Sequence, residues 1–360
     1  MISFARGVPA PECLPVEELA ECARAVLLAD GRTVLSYGSP SGYEPLRGWI
    51  ADRHGVEPDR VFVTNGGLQG FVFFAQRFAR DGARVLVEQP TYDRPLKILR
   101  ELGAEIVPLA MDEEGLRPEA LEAALVEGPK PAFLYTIPTF QNPSGRTLST
   151  ERRQRIIDIV RAHDLLVLED DPYGLVRFEG EAQPSLLELE GGERVVYTSS
   201  FSKTVAPGSR VGYFILPSPL RAELEATSTS TYITPGLLGQ ATVYEFIRRG
   251  NFDSNLARVR DLLRARRDAM LEALEAELGG TGGATWSRPQ GGYFVWLDVP
   301  RADAGELLDR STEAGVTFVP GTDFGGPASA ARLAYSFVSP DEIREGIPRL
   351  VALLPSAATL

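Results

Sequence analysis

Leu165-Leu166-Val167-Leu168-Glu169-Asp170-Asp171-Pro172-Tyr173 is a short apolar run closed by acids, a proline and a tyrosine. Its apolar residues are continuous rather than alternating, which is how a strand reads when both faces are covered. Just upstream, Glu151 to Ala162 sets Ile156, Ile157 and Val160 on one face of a helical pattern. Outward from this pair the rhythm recurs. Strand-like runs stand at Val61-Phe62-Val63-Thr64, Arg84-Val85-Leu86-Val87-Glu88, Ala132-Phe133-Leu134-Tyr135-Thr136, Arg194-Val195-Val196-Tyr197-Thr198 and Gly212-Tyr213-Phe214-Ile215-Leu216, with helical stretches between them. Strands alternating with helices make βαβ units, so the expected class is α/β, a mostly parallel sheet with helices on both sides.

The chain has 360 residues, too many for one core at roughly 100–200 residues per domain. Hydrophobic residues make up 44% and charged ones 24%, an ordinary globular balance that argues against disorder. A net charge of -12 repels nucleic acid and anionic membranes, and no basic run offsets it. Met1-Ile2-Ser3-Phe4-Ala5-Arg6 lacks a signal-peptide pattern, and no apolar stretch approaches the ~18 residues that span a bilayer. The two cysteines, Cys13 and Cys22, read as buried or idle thiols of a cytoplasmic protein. His54 and His163 stand apart from any Cys or His cluster, so no metal site is expected and a Ser-His-Asp hydrolase has little to work with.

Past Pro235 the pattern changes to two helical segments, about 236–249 and 253–278. The second is studded with Arg258, Arg260, Arg264, Arg266, Arg267, Asp268, Glu272 and Glu275, and reads as a solvated helix face. A Gly-rich turn at 279–283 precedes a smaller α/β unit, whose clearest strands are Tyr293-Phe294-Val295-Trp296-Leu297 and Arg332-Leu333-Ala334-Tyr335-Ser336. The expected division is a large domain over 41–250 and a small one built from 1–40 and 251–360.

Chemistry concentrates just after the strands. Ser200-Phe201-Ser202-Lys203-Thr204-Val205-Ala206-Pro207-Gly208-Ser209-Arg210-Val211-Gly212 puts a lysine among hydroxyl residues, with an arginine seven positions on. In a parallel sheet, ligands bind beyond the carboxyl ends of strands. A lysine whose amine is kept neutral forms Schiff bases, and serines with an arginine clamp a phosphate. The acids Glu169, Asp170 and Asp171 are solvated turn residues, metal ligands without companions, or a partner for a protonated heterocyclic nitrogen. Gln141-Asn142-Pro143-Ser144-Gly145 is a turn signal, and Asn65-Gly66-Gly67-Leu68-Gln69-Gly70 opens a helix whose bare N–H groups can face an anion. Tyr92 follows the next strand and is packing or a stacking platform.

Together these residues resemble the fold-type I pyridoxal-phosphate aminotransferases of class I/II. The likeness is greatest to the 2-aminoadipate and kynurenine aminotransferase branch, which also resembles the catalytic half of MocR-type regulators. It spans nearly the whole chain, through Tyr37-x4-Gly42-Tyr43-x2-Leu46-Arg47, Gln141-Asn142-Pro143-x-Gly145, Glu169-Asp170-Asp171-x-Tyr173, Ser200-Phe201-Ser202-Lys203-x3-Pro207-Gly208-x-Arg210-Val211, Pro289-x-Gly291-Gly292-x-Phe294-x-Trp296, Val319-Pro320-Gly321-x2-Phe324 and Arg332-Leu333-x-Tyr335-Ser336. The resemblance implies a seven-stranded, mostly parallel sheet sandwiched by helices, with a smaller α/β domain. It implies pyridoxal 5'-phosphate as cofactor and transfer of an amino group from an L-amino acid to a 2-oxo acid by way of pyridoxamine phosphate.

Residue by residue, the likeness makes Lys203 the Schiff-base lysine and proton carrier, and pairs Asp170 with the pyridine nitrogen. Tyr173 and Asn142 would hydrogen-bond the cofactor's phenolic oxygen. Ser200, Ser202, Arg210 and the N–H groups of Gly67 and Leu68 would hold its phosphate, and Tyr92 would stack on its ring. Tyr37 would reach the phosphate of a neighbouring subunit, which implies a homodimer with shared active sites. Arg332 would grip the substrate α-carboxylate with its two-pronged fork, with Asn142 beside it.

Some positions depart from the pattern. Gly67 and Leu68 stand where relatives carry Ser and Gln, so phosphate binding there rests on the backbone. Ser199 replaces a common glycine. The sequence begins where relatives have completed an N-terminal helix, and the expected consequence is a more open pocket or an altered lid. Competing readings are a lyase, decarboxylase, oxidase or cyclase using the same cofactor, and a non-enzymatic sensor, which would need a basic DNA-binding domain before residue 1. A nicotinamide enzyme is excluded because no G-x-G-x-x-G follows the first strand. The side-chain pocket is not assigned, with Arg6 and Tyr232 its candidate residues.

Overall fold

The computed structural model describes residues 1–280 and 283–354. Its main sheet has eight strands in the order Val61–Thr64, Gly212–Ile215, Val195–Ser200, Val167–Asp170, Phe133–Thr136, Arg84–Gln89, Glu105–Asp112, Gly115–Leu116. The expectation of seven is exceeded by the two-residue strand Gly115–Leu116, a hairpin partner at the edge. Gly212–Ile215 runs against both of its neighbours, while the strands from Val195–Ser200 to Glu105–Asp112 pair in parallel. Val61–Thr64, antiparallel to the reversed strand, therefore points the same way as that parallel set. The carboxyl ends of Val61–Thr64, Arg84–Gln89, Phe133–Thr136, Val167–Asp170 and Val195–Ser200 thus share one edge.

Side chains alternate across a strand, and the two faces of this sheet bury separate cores. Phe133, Tyr135, Leu168, Val196 and Phe214 lie on one face with Phe71 and Phe74 of the helix Gly67–Phe78. Leu134, Val167, Val195 and Ile215 lie on the other with Ile156, Ile157 and Val160 of the helix Thr150–Ala162. Coverage on both faces is what made these strands read as unbroken apolar runs. Glu105–Asp112 has no such run: it is half-buried, carries Pro108 and borders only the short hairpin strand on its outer side.

The smaller sheet is antiparallel, in the order Thr285–Trp286, Phe294–Asp298, Ala330–Ala334, Val319–Pro320, with Arg332 opposite Trp296. The N-terminal segment divides between the two units. Ile2–Ser3 pairs in parallel with Val316–Thr317, whereas the helix Val16–Val34 packs Val26 and Val34 against Leu237 and Ala241. The Gly-rich turn expected at 279–283 falls partly outside the described residues. Among the described residues, no helix is long and apolar enough to cross a membrane.

In the charged helix, Asn251–Leu278, the expected solvated face holds for Arg258, Arg264, Glu272 and Glu275, which are exposed, and fails at two arginines. Arg266 and Arg267 are buried, 3% and 7% exposed. Arg260 donates to the carbonyl of Leu175 and Arg264 to that of Phe178, while Arg266 reaches Ser336 O and Arg267 reaches Pro289 O. From one side of the helix the guanidinium fork satisfies main-chain acceptors of both units, so part of this charge is buried while the rest faces water.

Candidate active site

The sheet topology gathers the chemistry. Asn65 to Leu68, Tyr92, Asn142, Asp170 to Tyr173 and Ser200 to Lys203 all follow strands that end on the shared edge. Arg210 joins them only because Gly212–Ile215 is reversed, so that the residues before it start from that same edge. Lys203, Asp170, Tyr173, Gly67, Leu68, Tyr92, Asn142, Ser200, Ser202, Arg210 and Arg332 line one cleft of about 410 Å³. Tyr37 does not line it and stands 79% exposed on the surface.

One end of the cleft is an anion cradle. The helix Gly67–Phe78 begins there, and its first N–H groups have no partner within the helix. Gly66, with φ 89°, passes so close to Arg210 that a Cβ would sit 2.2 Å from Nη2. A Cβ on Gly212 would lie 2.4 Å from the Gly67 nitrogen, so only glycine closes the cradle at that point. Arg210 is held by the carbonyls of Asn65 and Pro207, each at 3.2 Å, and Ser200 and Ser202 share the cleft. This donor set suits a phosphate.

The alternation of Val167–Asp170 explains why one acid of three reaches the cleft. Glu169 faces the opposite core and accepts the N–H groups of Leu186 and Leu187, each at 2.9 Å, at the start of a short helix. Asp171 accepts from Tyr197 Oη at 3.0 Å and from Gly174 N at 2.8 Å. Asp170 alone lines the cleft, its Oδ2 accepting from Tyr135 Oη at 2.8 Å. Burial, helped by the charges of Asp171 and Glu88, pushes its carboxyl up to about 7 against the pull of that hydrogen bond. A buried carboxylate without a cation suits a protonated ring nitrogen.

Lys203 donates from Nζ to Gly7 O at 3.1 Å. Burial, reinforced by the guanidinium groups of Arg332 and Arg210, pulls its ammonium down to about 8, so the neutral, nucleophilic amine is within reach at working pH. Burial pushes the Tyr173 phenol well up, which keeps it a donor. Arg332, 7% exposed, donates from Nη1 to Asn142 Oδ1 at 3.0 Å and from Nη2 to Ala5 O at 2.9 Å. Phe294 and Phe324 flank it, 4.4 and 4.8 Å from its guanidinium carbon. Its Nε is buried with no partner. A planar cation with an orphaned donor suits a carboxylate.

Sequence reasoning missed Gly7, Ala5, Tyr135 and Phe324 as neighbours of the reacting groups. Gly7 and Ala5 act through main-chain oxygens, which leave no side-chain signature, and Tyr135 reads as one more apolar strand residue. Phe294 and Phe324 stood in family motifs without a role. Of the candidate pocket residues, Arg6 is exposed and stacks 3.9 Å from the Phe337 ring centre, and Tyr232 packs on Phe73; neither lines the cleft.

A doubly covered α/β sheet whose edge brings a buried lysine, a buried acid, hydroxyls and bare helix N–H groups into one cleft with two arginines is the arrangement expected of a pyridoxal-phosphate enzyme of fold type I. The chain belongs to the family described as aminotransferase class I and II, whose family model matches residues 1–350. It is 38% identical to a 2-aminoadipate transaminase of Thermus thermophilus over 359 residues, 97% of this chain and 89% of that one. Identity to an aromatic-amino-acid aminotransferase of Thermococcus litoralis is 34% over 364 residues, 97% and 87% of the two chains. The crystal structure of α-aminoadipate aminotransferase from Thermus thermophilus, complexed with N-(5'-phosphopyridoxyl)-L-leucine, superposes with a TM-score of 0.94 at 36% identity, covering 100% of this chain and 93% of that one. The chain is thus a pyridoxal-phosphate-dependent aminotransferase that moves an amino group from an amino acid to a 2-oxo acid.

Proposed function

We propose that the cleft described above is where transfer occurs, with Lys203 as the tether and proton carrier and Arg332 as the carboxylate anchor. The observation that carries this reading is the meeting of Lys203, Asp170 and Arg332 in one cleft, Arg332 with a buried, unpaired Nε. Bound there, pyridoxal phosphate supplies the carbonyl that accepts the amino group and the electron sink that makes the substrate α-proton acidic. The chain's own residues do the rest. Gly67, Leu68, Ser200, Ser202 and Arg210 hold the phosphate, and Tyr92 covers the ring. Asp170 faces the ring nitrogen. Tyr173 donates to the phenolic oxygen, and so does Asn142, whose Oδ1 is taken by Arg332 and whose amide donors remain for that task. Arg332 would fix the α-carboxylate and so present the α-proton to the Lys203 amine, which would take it up and give it back.

A homodimer with shared sites, Tyr37 reaching the phosphate of the second subunit, is part of this proposal. It is supported by the exposure of Tyr37 beside Leu35, with Leu28 and Ile233 also exposed. A cytoplasmic location and a division of the chain near residue 250, with the helix Val16–Val34 packed on the larger unit, complete the proposal.

The test is the visible spectrum of purified protein with pyridoxal phosphate, before and after acidic, aromatic and aliphatic amino acids. A cofactor band that one class of donor bleaches, and that a 2-oxo acid restores, is expected. A band that survives unchanged in Lys203→Ala would remove Lys203 from its role.

A further inference from the structure

Tyr135 is fully buried on the strand Phe133–Thr136, in register with Leu168 of the neighbouring strand. Leu168 and Asp170 project from the same face of their strand, two residues apart, so a long side chain at 135 can reach the carboxylate. It does so, at 2.8 Å from Oη to Oδ2. The Tyr135 ring is held in turn by Phe71, edge to face at 5.4 Å between centroids, from the first turns of the helix that opens the phosphate cradle. The carboxylate's own terminal torsion is soft, so without a partner its two oxygens are poorly fixed.

The charges around Asp170 make that contact decisive. Asp171 on its own strand and Glu88 on the strand Arg84–Gln89 both disfavour its ionised form. Tyr92 and Tyr173 also face it as neutral phenols. Tyr135 is the one group among these that favours the carboxylate. Burial and the Asp170 charge push the Tyr135 phenol well up, so it remains a donor.

We propose that Tyr135 is a positioning residue of the reaction, its hydroxyl clamping Oδ2 of Asp170 so that Oδ1 faces the ring nitrogen of the cofactor. It touches neither substrate nor cofactor and acts through Asp170 alone. The proposal rests on the reading of Asp170 given above.

The test is a double-mutant cycle on the full chain, reading pyridoxal phosphate affinity and the pH midpoint of the cofactor's visible band. Tyr135→Phe should weaken cofactor binding roughly ten-fold or more, the cost of losing a hydrogen bond to a charged group, and shift the midpoint. In an Asp170→Asn background the same change should alter neither. Tyr135→Phe/Asp170→Asn leaves no buried charge unpaired, so this arm remains readable even if the single variant folds poorly. Equal losses in both backgrounds, or unchanged affinity and midpoint in Tyr135→Phe, would overturn the role of Tyr135. Failure of the wild-type protein to bind the cofactor would instead overturn the reading of the site.

Discussion

Arg332 and Asn142, 190 positions apart in sequence, meet at 3.0 Å between Nη1 and Oδ1. The contact joins the smaller sheet to a turn at the edge of the larger one. It aligns the carboxylate anchor with a residue proposed to hold the cofactor. Lysine at position 332 keeps the charge and loses the fork. Arg332→Lys should therefore raise the KM for the amino donor roughly ten- to a hundred-fold, consistent with losing a charge-assisted hydrogen bond, while cofactor affinity barely moves. Steady-state kinetics and a cofactor titration on the same sample check both halves.

Gly66 and Gly48 offer a matched pair of alanine substitutions. At Gly66 a Cβ would strike Arg210 and the residue holds φ 89°, so Gly66→Ala should loosen the cradle and speed cofactor release about ten-fold or more. Gly48 lies in the helix Glu44–His54, where a Cβ meets nothing, so Gly48→Ala should raise stability by about 0.5–1 kcal/mol. Release rates after dilution and urea midpoints distinguish the two.

Asp170 makes the cofactor-free protein sensitive to pH. Its folded carboxyl is raised to about 7, so between the ordinary carboxylate range and that value the folded state keeps a proton the unfolded chain has lost. This contribution to stability is full below the ordinary range and is lost as pH climbs through about 7. Asp170→Asn, which resembles the protonated acid, should match wild type near pH 4 and melt higher above pH 7. Melting temperatures of the cofactor-free proteins across that window decide the matter, and an equal gap at both ends would contradict it.

Arg153, 1% exposed, supports the loop that carries Asn142. It donates to Pro138 O at 2.8 Å, Thr139 Oγ1 at 2.8 Å and Leu148 O at 3.0 Å, from the helix Thr150–Ala162. Arg153→Met takes the donor from Thr139 Oγ1 and Leu148 O, leaves Pro138 O with only the Leu148 N–H, and should cost about 3 kcal/mol or more. The fall should appear as a lower urea midpoint, together with a raised KM because Asn142 loses its support.

How much of this could be read in advance depended on whether residues declare themselves through side chains. The strands Phe133–Thr136 and Val167–Asp170 were legible because burial on both faces imposes an unbroken apolar run. The edge strand Glu105–Asp112 was not, since its exposure and its proline erase that run. The strand Gly212–Ile215 was visible as a strand, yet nothing in its composition announces that it is reversed, and Arg210 depends on that reversal. In the helix Asn251–Leu278, arginines that satisfy buried carbonyls look the same in sequence as arginines in water. The family motifs supplied the cleft residues; the hydroxyl of Tyr135 lay inside an apolar stretch and gave no sign of its partner.

Main-chain oxygens of residues 7 and 5 meet Lys203 and Arg332 in this structure, the latter beside the Asn142 Oδ1 contact. A main-chain oxygen is the same whatever side chain is encoded, so point substitution at position 5 leaves its contact chemically unaltered. Drift at position 7 is checked for another reason: a Cβ there would press to 2.6 Å from the Phe294 ring. This N-terminal share of the resting grip on both cations is thus inherited through the path of the chain rather than through its letters, and changing it calls for rerouting the segment.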